Sequence, residues 1–298
     1  MQFKVKDLWK LLVKTYKEWN RKDPFRQSAV IAYYAIFSLP ALLVLIISIA
    51  GFVWSADAVN SKVMEQVSLT MGSETADQVK TMLEKASVGR TSFWASLIGT
   101  VVLISGAIGV FVELQKTLNI IWEVNVVEKK WIWPIVKSRL FSFGLILAIA
   151  FLLLISLIIS TALAALSNWF SADSSEIALV FFRTLDFIIS LALISALFAL
   201  IFKILPDAKV SWGHVIIGAL LTGLLFIIGK TGIAFYFGKA TPGSGYGAAG
   251  SIVLILLWVS YSSMILFFGA EFTRAHADLY DGYVPPTDIA KKEPDRKY

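Results

Sequence analysis

The sequence has no cysteine, so it can build neither a disulfide framework nor a thiolate nucleophile or metal ligand. That absence suits either side of a membrane and fixes no redox compartment. Histidine is nearly absent too. His214 and His276 are the only two, and neither sits in a nucleophile–base motif or at metal-ligand spacing. No catalytic residue, metal or cofactor is assigned, and an enzyme is not expected. Charge is sparse: Asp, Glu, Lys and Arg make up 16% of residues, against about 25% in ordinary soluble domains. The space is filled by apolar side chains, 57% of the 298 residues, with a mean hydropathy of +0.73. One integrated membrane domain is the simplest reading.

Six runs are long enough to cross a bilayer core at roughly 20 residues per span. They lie at about 29–53, 93–112, 140–166, 178–202, 214–238 and 251–270. The basic leader precedes an apolar run too long for a signal-peptide core, with no small-x-small cleavage site, so the first span is expected to stay uncleaved. Lys and Arg set the orientation. Segments 1–28, 113–139, 203–213 and 271–298 hold twenty, and the opposite segments 54–92, 167–177 and 239–250 hold five. The positive-inside bias puts both termini in the cytoplasm. Net charge +6 then follows from topology and anionic lipid and needs no nucleic-acid partner. The expected fold is all-α: a polytopic six-transmembrane-helix bundle, residues 29–276. It is preceded by an amphipathic interfacial helix within 1–28 and followed by a disordered cytoplasmic tail, 277–298, rich in polar residues and proline.

At about 100° per residue, Val5, Leu8, Trp9, Leu12, Tyr16 and Trp19 share one face of the first helix, and Lys6, Lys10, Lys14, Lys17 and Arg21 share the other. Such a helix lies in the headgroup plane. Pro40 is a kink or hinge candidate in the first span. Segment 54–92 repeats Val59, Val63 and Val67, then Val79, Met82 and Leu83, which predicts a short extracytoplasmic helical hairpin. Gly218, Thr222, Gly229 and Gly232 form a small-residue stripe for close helix packing, within the monomer or in a homo-oligomer. The loop ending in Gly247 and Gly250 formally matches a dinucleotide fingerprint. No strand precedes it, so a flexible or re-entrant turn is expected instead.

Charges inside spans are functional candidates by default. Arg183 and Asp186 sit three apart, with Ser190 on the same face, and Lys230 falls at comparable depth in the fifth span. Together they would bind an anionic group, with arginine as the bidentate donor. The competing reading is a structural ion-pair network, or cations snorkelling to the interface. Glu113 and Glu271 close two spans at cytoplasmic ends. Glu271 has Arg274 three residues on, and with Arg139 these form a second expected polar network.

Several pieces, in order, resemble the YihY/BrkB family of bacterial inner-membrane proteins, once labelled ribonuclease BN. They are Ala32-Tyr33-Tyr34, Ser38-Leu39-Pro40, Leu118-Asn119-Ile120-Ile121-Trp122, Leu205-Pro206, Gly218-Ala219-Leu220, Tyr246-Gly247-x-x-Gly250-Ser251, Leu257-Trp258 and Gly269-Ala270-Glu271. None of them falls on Arg183, Asp186 or Lys230. The resemblance implies a six-helix inner-membrane protein linked to envelope or lipid functions. The ribonuclease label finds no support, because no cluster of acidic and histidine ligands for metal-assisted phosphodiester cleavage is present.

Three functions follow in order. The first is transport or presentation of an anionic lipid or lipid-linked envelope precursor, with the bilayer and anionic lipids as partners. The second is a non-transporting membrane subunit that anchors an envelope lipid-transfer protein. The third is a membrane-embedded enzyme. No ATP-binding motif is present, so active transport would draw on an ion gradient or another protein.

Overall fold

The computed structural model describes residues 5–50, 56–71, 75–77, 79–81, 108–126, 176–240, 246, 249–287 and 290–292. The long helices are α1 (Val5–Arg21), α2 (Pro24–Ala50), α3 (Ala56–Met71), α4 (Glu176–Ile204), α5 (Trp212–Ala240) and α6 (Gly250–Tyr280). Residues 108–121 are also helical. The expected third span, and most of the second, lie outside the described residues.

Among the described residues, three stretches are long and apolar enough to cross a membrane: Thr184–Ile204, Trp212–Phe237 and Ile252–Tyr280. Their apolar side chains stay largely uncovered by protein. Ile228 and Phe235 are 61% and 64% exposed, and Ile188 and Ile216 are half exposed or more. Such surface is ordinary against lipid and costly against water. The protein is membrane-embedded.

The chain divides into two compact units. One comprises Met1–Tyr16, Leu118–Leu225 and Phe268–Tyr298, and the other Lys17–Thr117 and Phe226–Phe267. In the first unit, α5 and α6 run antiparallel and interlock. Thr222 Oγ1 donates to Gly218 O at 2.6 Å and Thr273 Oγ1 to Gly269 O at 2.7 Å. Each threonine fills the notch at the other helix's glycine: a Cβ on Gly218 or on Gly269 would stand 1.8 Å from the facing threonine Oγ1. With no hydrophobic drive between helices in lipid, such close van der Waals contact supplies the association.

Helix α1 contributes to the same unit. Leu11 packs on Phe272 and Ala275, with Leu8, Leu12 and Leu221 around them. Leu11 and the fully buried Thr15, which the expected apolar stripe omits, are the inward positions, while Trp9 and Tyr16 stand exposed. The helix is therefore clamped to protein along one side. Its exposed aromatics, Trp9 and Tyr16, are residue types enriched at the membrane interface.

Residues 277–287 and 290–292, expected within a disordered tail, have defined structure. Helix α6 runs ten residues past the apolar run, helped by Ala270, Ala275 and Ala277. It stops at Gly282, whose φ of 71° suits a left-handed stop. Beyond it, β2 (Ala290–Lys292) pairs antiparallel with β1 (Val124–Val126), with Asn125 opposite Lys291. Lys209 N donates to Pro285 O at 2.8 Å, and Thr287 N to Asp207 O at 2.9 Å. Residues 293–298 lie outside the described part.

In the second unit, Val79 and Ile255 form a buried cluster with Ile36, Met64, Val67 and Val259 around it. Helix α3 and the helical turns at 75–77 and 79–81 belong to the segment expected as a hairpin. Helix α2 passes Pro40 without a break. A Cβ on Gly229 would meet the Tyr261 ring and hydroxyl, whereas Gly232 has open space beside it.

Candidate functional site

The last turns of α6 carry two chemical stripes. Glu271, Arg274 and Asp278 recur at helical spacing on one side, and Phe272, His276 and Tyr280 on another.

The first stripe is a charge clasp. Arg274 is 15% exposed in its side chain and reaches Glu123 at 2.7 Å, with Glu271 and Asp278 each at 3.6 Å. It also donates to Ile121 O at 2.8 Å. Lys14 on α1 lies 3.8 Å from Asp278. Planar and multiply donating, the guanidinium can serve all of these at once where an ammonium cannot. It fastens the 121–123 turn to α6. Beside it, Asn119 holds the 205–211 loop by two bonds of 2.8 Å, giving one to Asp207 Oδ2 and accepting one from Asp207 N.

The second stripe brings the chain's two histidines together. His214 comes from the first turn of α5, and both rings are buried. His214 Nδ1 and His276 Nδ1 are 2.7 Å apart, and His214 Nε2 is 2.7 Å from Asp281 Oδ2. A carboxylate only accepts, so His214 Nε2 carries its proton. His214 Nδ1 then accepts, and His276 Nδ1–H donates to it. That assignment holds with both rings neutral; with His214 protonated at both nitrogens, His214 Nδ1–H donates to His276 Nδ1 instead. The Phe272 ring stacks on His276 at 6.3 Å and the Tyr280 ring lies at 4.7 Å. Asp281 is 45% exposed in its side chain, so the chain of groups leads from water to a buried ring.

Sequence reasoning set both histidines aside because neither sits in a nucleophile–base motif or at metal-ligand spacing; they are 62 residues apart in the chain. The signal was the helical hairpin: His214 and His276 lie equally far along the chain from residue 245, midway through the loop, so antiparallel folding brings them level.

The other expected site residues lie on α4, α5, α6 and the 108–121 helix, or outside the described residues. Asp186 is exposed and Ser190 half-buried on α4, in the first unit. Arg183 is on α4, with its side chain outside the described residues. Lys230 is half-buried on α5, in the second unit. Neither Asp186 nor Lys230 makes an ion pair among the described residues. Glu113 pairs with Lys116 at 3.4 Å. Gly250 is the buried first residue of α6. Arg139 and Gly247 lie outside the described residues.

The sequence model for virulence factor BrkB matches residues 15–293. The chain is 26% identical to a UPF0761 membrane protein of Saccharophagus degradans over 88% of its length and 58% of the relative's. A second such protein, of Tolumonas auensis, is 28% identical over 59% of this chain and 56% of its own length. One of Vibrio vulnificus is 26% identical over 89% and 81%. The chain thus spans little more than half the length of the first two. No solved structure matches it.

Proposed function

The chain belongs to the virulence factor BrkB family, and from that premise we propose that it is a transport protein for an anionic lipid or lipid-linked envelope precursor. It would move or present this substrate across or within the bacterial inner membrane, with both termini cytoplasmic. Lys230 carries the reading. It sits inside the apolar stretch Trp212–Phe237, half-buried, with no ion pair among the described residues. A cation so placed needs an anion or water. A lipid headgroup supplies the anion, and its acyl chains match the exposed Ile228 and Phe235 on the same helix. Arg183 on α4, with Asp186 and Ser190 following along that helix, is a separate candidate cation for an anionic group. The exposed Trp9 and Tyr16 of α1 would sit at headgroup level.

The test is leaflet exchange of labelled anionic and zwitterionic lipids in liposomes holding purified protein. The reading expects faster exchange of the anionic lipid, lost in Lys230→Ala and Arg183→Ala. Exchange no faster than in empty liposomes, with folded protein, would turn the reading to a membrane subunit that anchors a lipid-transfer partner.

A further inference from the structure

We propose that Lys230, Tyr261 and Ser262 form a binding site for a lipid phosphate group, set midway along the α5–α6 hairpin. The site deepens the reading above and rests on it for the lipid. It adds two ligand-binding hydroxyls and names the chemistry of the anion.

The placement follows from one close contact. The Tyr261 hydroxyl fills the space where a Cβ on Gly229 would stand, so these two positions mark where α5 and α6 touch. Both lie in the second unit. Lys230 is the next residue on α5, its Cα about 3.8 Å from that of Gly229, and Ser262 is the next on α6. The helices are right-handed and antiparallel here, so the residue after each contact position turns to the same side of the pair. Lys230 and Ser262 therefore share one side, at one level, with the Tyr261 hydroxyl between them. That side is interior. Ile255 and Val259 precede Ser262 on its stripe and pack in the cluster around Val79.

Three donors converge there without an acceptor. Ser262 Oγ is buried and has no hydrogen-bond partner among the described residues. Lys230 and Tyr261 are half-buried, and neither side chain makes a hydrogen bond or ion pair among them. Polar groups left so inside an apolar stretch are costly, and a charged one marks a ligand path. The donor set suits phosphate. An ammonium serves phosphate as a point charge, whereas the planar fork of arginine matches a carboxylate. Two hydroxyls from neighbouring directions complete the contacts to a tetrahedral anion.

Depth separates this site from an ordinary lipid contact. Gly229 is eight residues from Phe237 and Tyr261 nine from Ile252, the loop ends of their apolar stretches. At 1.5 Å per residue that is about 12 Å. A resting headgroup lies outside a hydrocarbon core about 30 Å thick. A phosphate held by these residues has been drawn inward, as passage between leaflets requires.

The test is native mass spectrometry of the full chain in detergent, delipidated and then offered phosphatidylglycerol, palmitate or inorganic phosphate. Phosphatidylglycerol should be retained, and palmitate, an anionic lipid without phosphate, should be held far more weakly. Tyr261→Phe and Ser262→Ala should each weaken retention about tenfold, the loss of one hydrogen bond to a charged group. Lys230→Gln should weaken it more. Ser260→Ala, on the other side of the Tyr261 contact, should leave it unchanged. A structural role is read separately: delipidated Ser262→Ala should unfold no sooner than wild type, because it removes an unpaired hydroxyl. Unchanged retention in Tyr261→Phe and Ser262→Ala, or palmitate held as tightly as phosphatidylglycerol, would overturn the site. Earlier unfolding of delipidated Ser262→Ala would assign that hydroxyl to the fold and remove it from the site. Displacement of the lipid by inorganic phosphate alone would overturn the lipid as ligand. In liposomes, retention without leaflet exchange would end the transport reading alone. Exchange that survives Tyr261→Phe and Ser262→Ala unchanged would end the site alone.

Discussion

Replacing Gly218 by alanine puts two effects in opposition, and the structure says which wins. In a helix interior alanine gains about 1 kcal/mol over glycine. Here the new Cβ would stand 1.8 Å from Thr273 Oγ1, 2.9 Å from its Cβ and 3.3 Å from its Cα. Thr273 cannot simply turn away. Its χ1 is stiff, and its hydroxyl is bonded to Gly269 O at 2.7 Å. The contact with Cα means that α5 and α6 must separate. Overpacking of this kind costs about 1–3 kcal/mol, and a lost Thr273 hydrogen bond adds about 1 kcal/mol. The net expectation for Gly218→Ala is a destabilisation of about 1–3 kcal/mol. Thr273→Ala in the same chain removes Oγ1 but keeps Cβ, so it should recover part of the loss. Thermal unfolding in detergent of both single variants and the double variant gives the coupling, expected at about 1 kcal/mol or more. Gly232→Ala, with open space beside it, is the control and should lose nothing. A Gly218→Ala protein as stable as wild type, or strictly additive variants, would refute the interlock.

Arg274→Ala takes the guanidinium from Glu271, whose side chain is 2% exposed. We expect a loss of about 3 kcal/mol, the low end for breaking a buried pair, because Glu123 and Asp278 are partly solvated. Arg274→Lys should recover less than half of it in the same unfolding assay, since one ammonium cannot serve every partner. Asn119→Ala removes both bonds to Asp207 and should speed proteolytic cleavage in the 205–211 loop, read by limited digestion, while the three apolar helices stay protected. Gly229→Ala should destabilise and be partly rescued by Tyr261→Ala, whose ring and hydroxyl occupy the space a Cβ needs.

What the sequence made legible was set by local pattern. Runs of twenty apolar residues announce helices α4, α5 and α6, because each span meets the bilayer by itself. The small-residue stripe announced Gly218, Thr222 and Gly229 as packing positions; their threonine and tyrosine partners came from the other helix and carried no stripe of their own. The Glu271–Arg274 spacing was readable, while Glu123, from far along the chain, was not. The tail looked solvated because Pro285 and Pro286 donate no backbone hydrogen bond. It is held instead through the carbonyl of Pro285 and the N–H of Thr287. Strands of three residues, β1 and β2, leave no periodicity to detect. The histidine pair was hidden by sequence distance, and only the hairpin register brings the two rings level.

The central claim is that Lys230 faces an anionic lipid headgroup. Photo-crosslinking tests it most directly, using anionic and zwitterionic lipids that carry a diazirine close to the headgroup, followed by peptide mapping. The account predicts that the anionic lipid labels the α5 segment around Lys230, that the zwitterionic lipid labels it far less, and that Lys230→Gln abolishes the difference. Equal labelling by both lipids in the wild type, or a preference that survives Lys230→Gln, would contradict it.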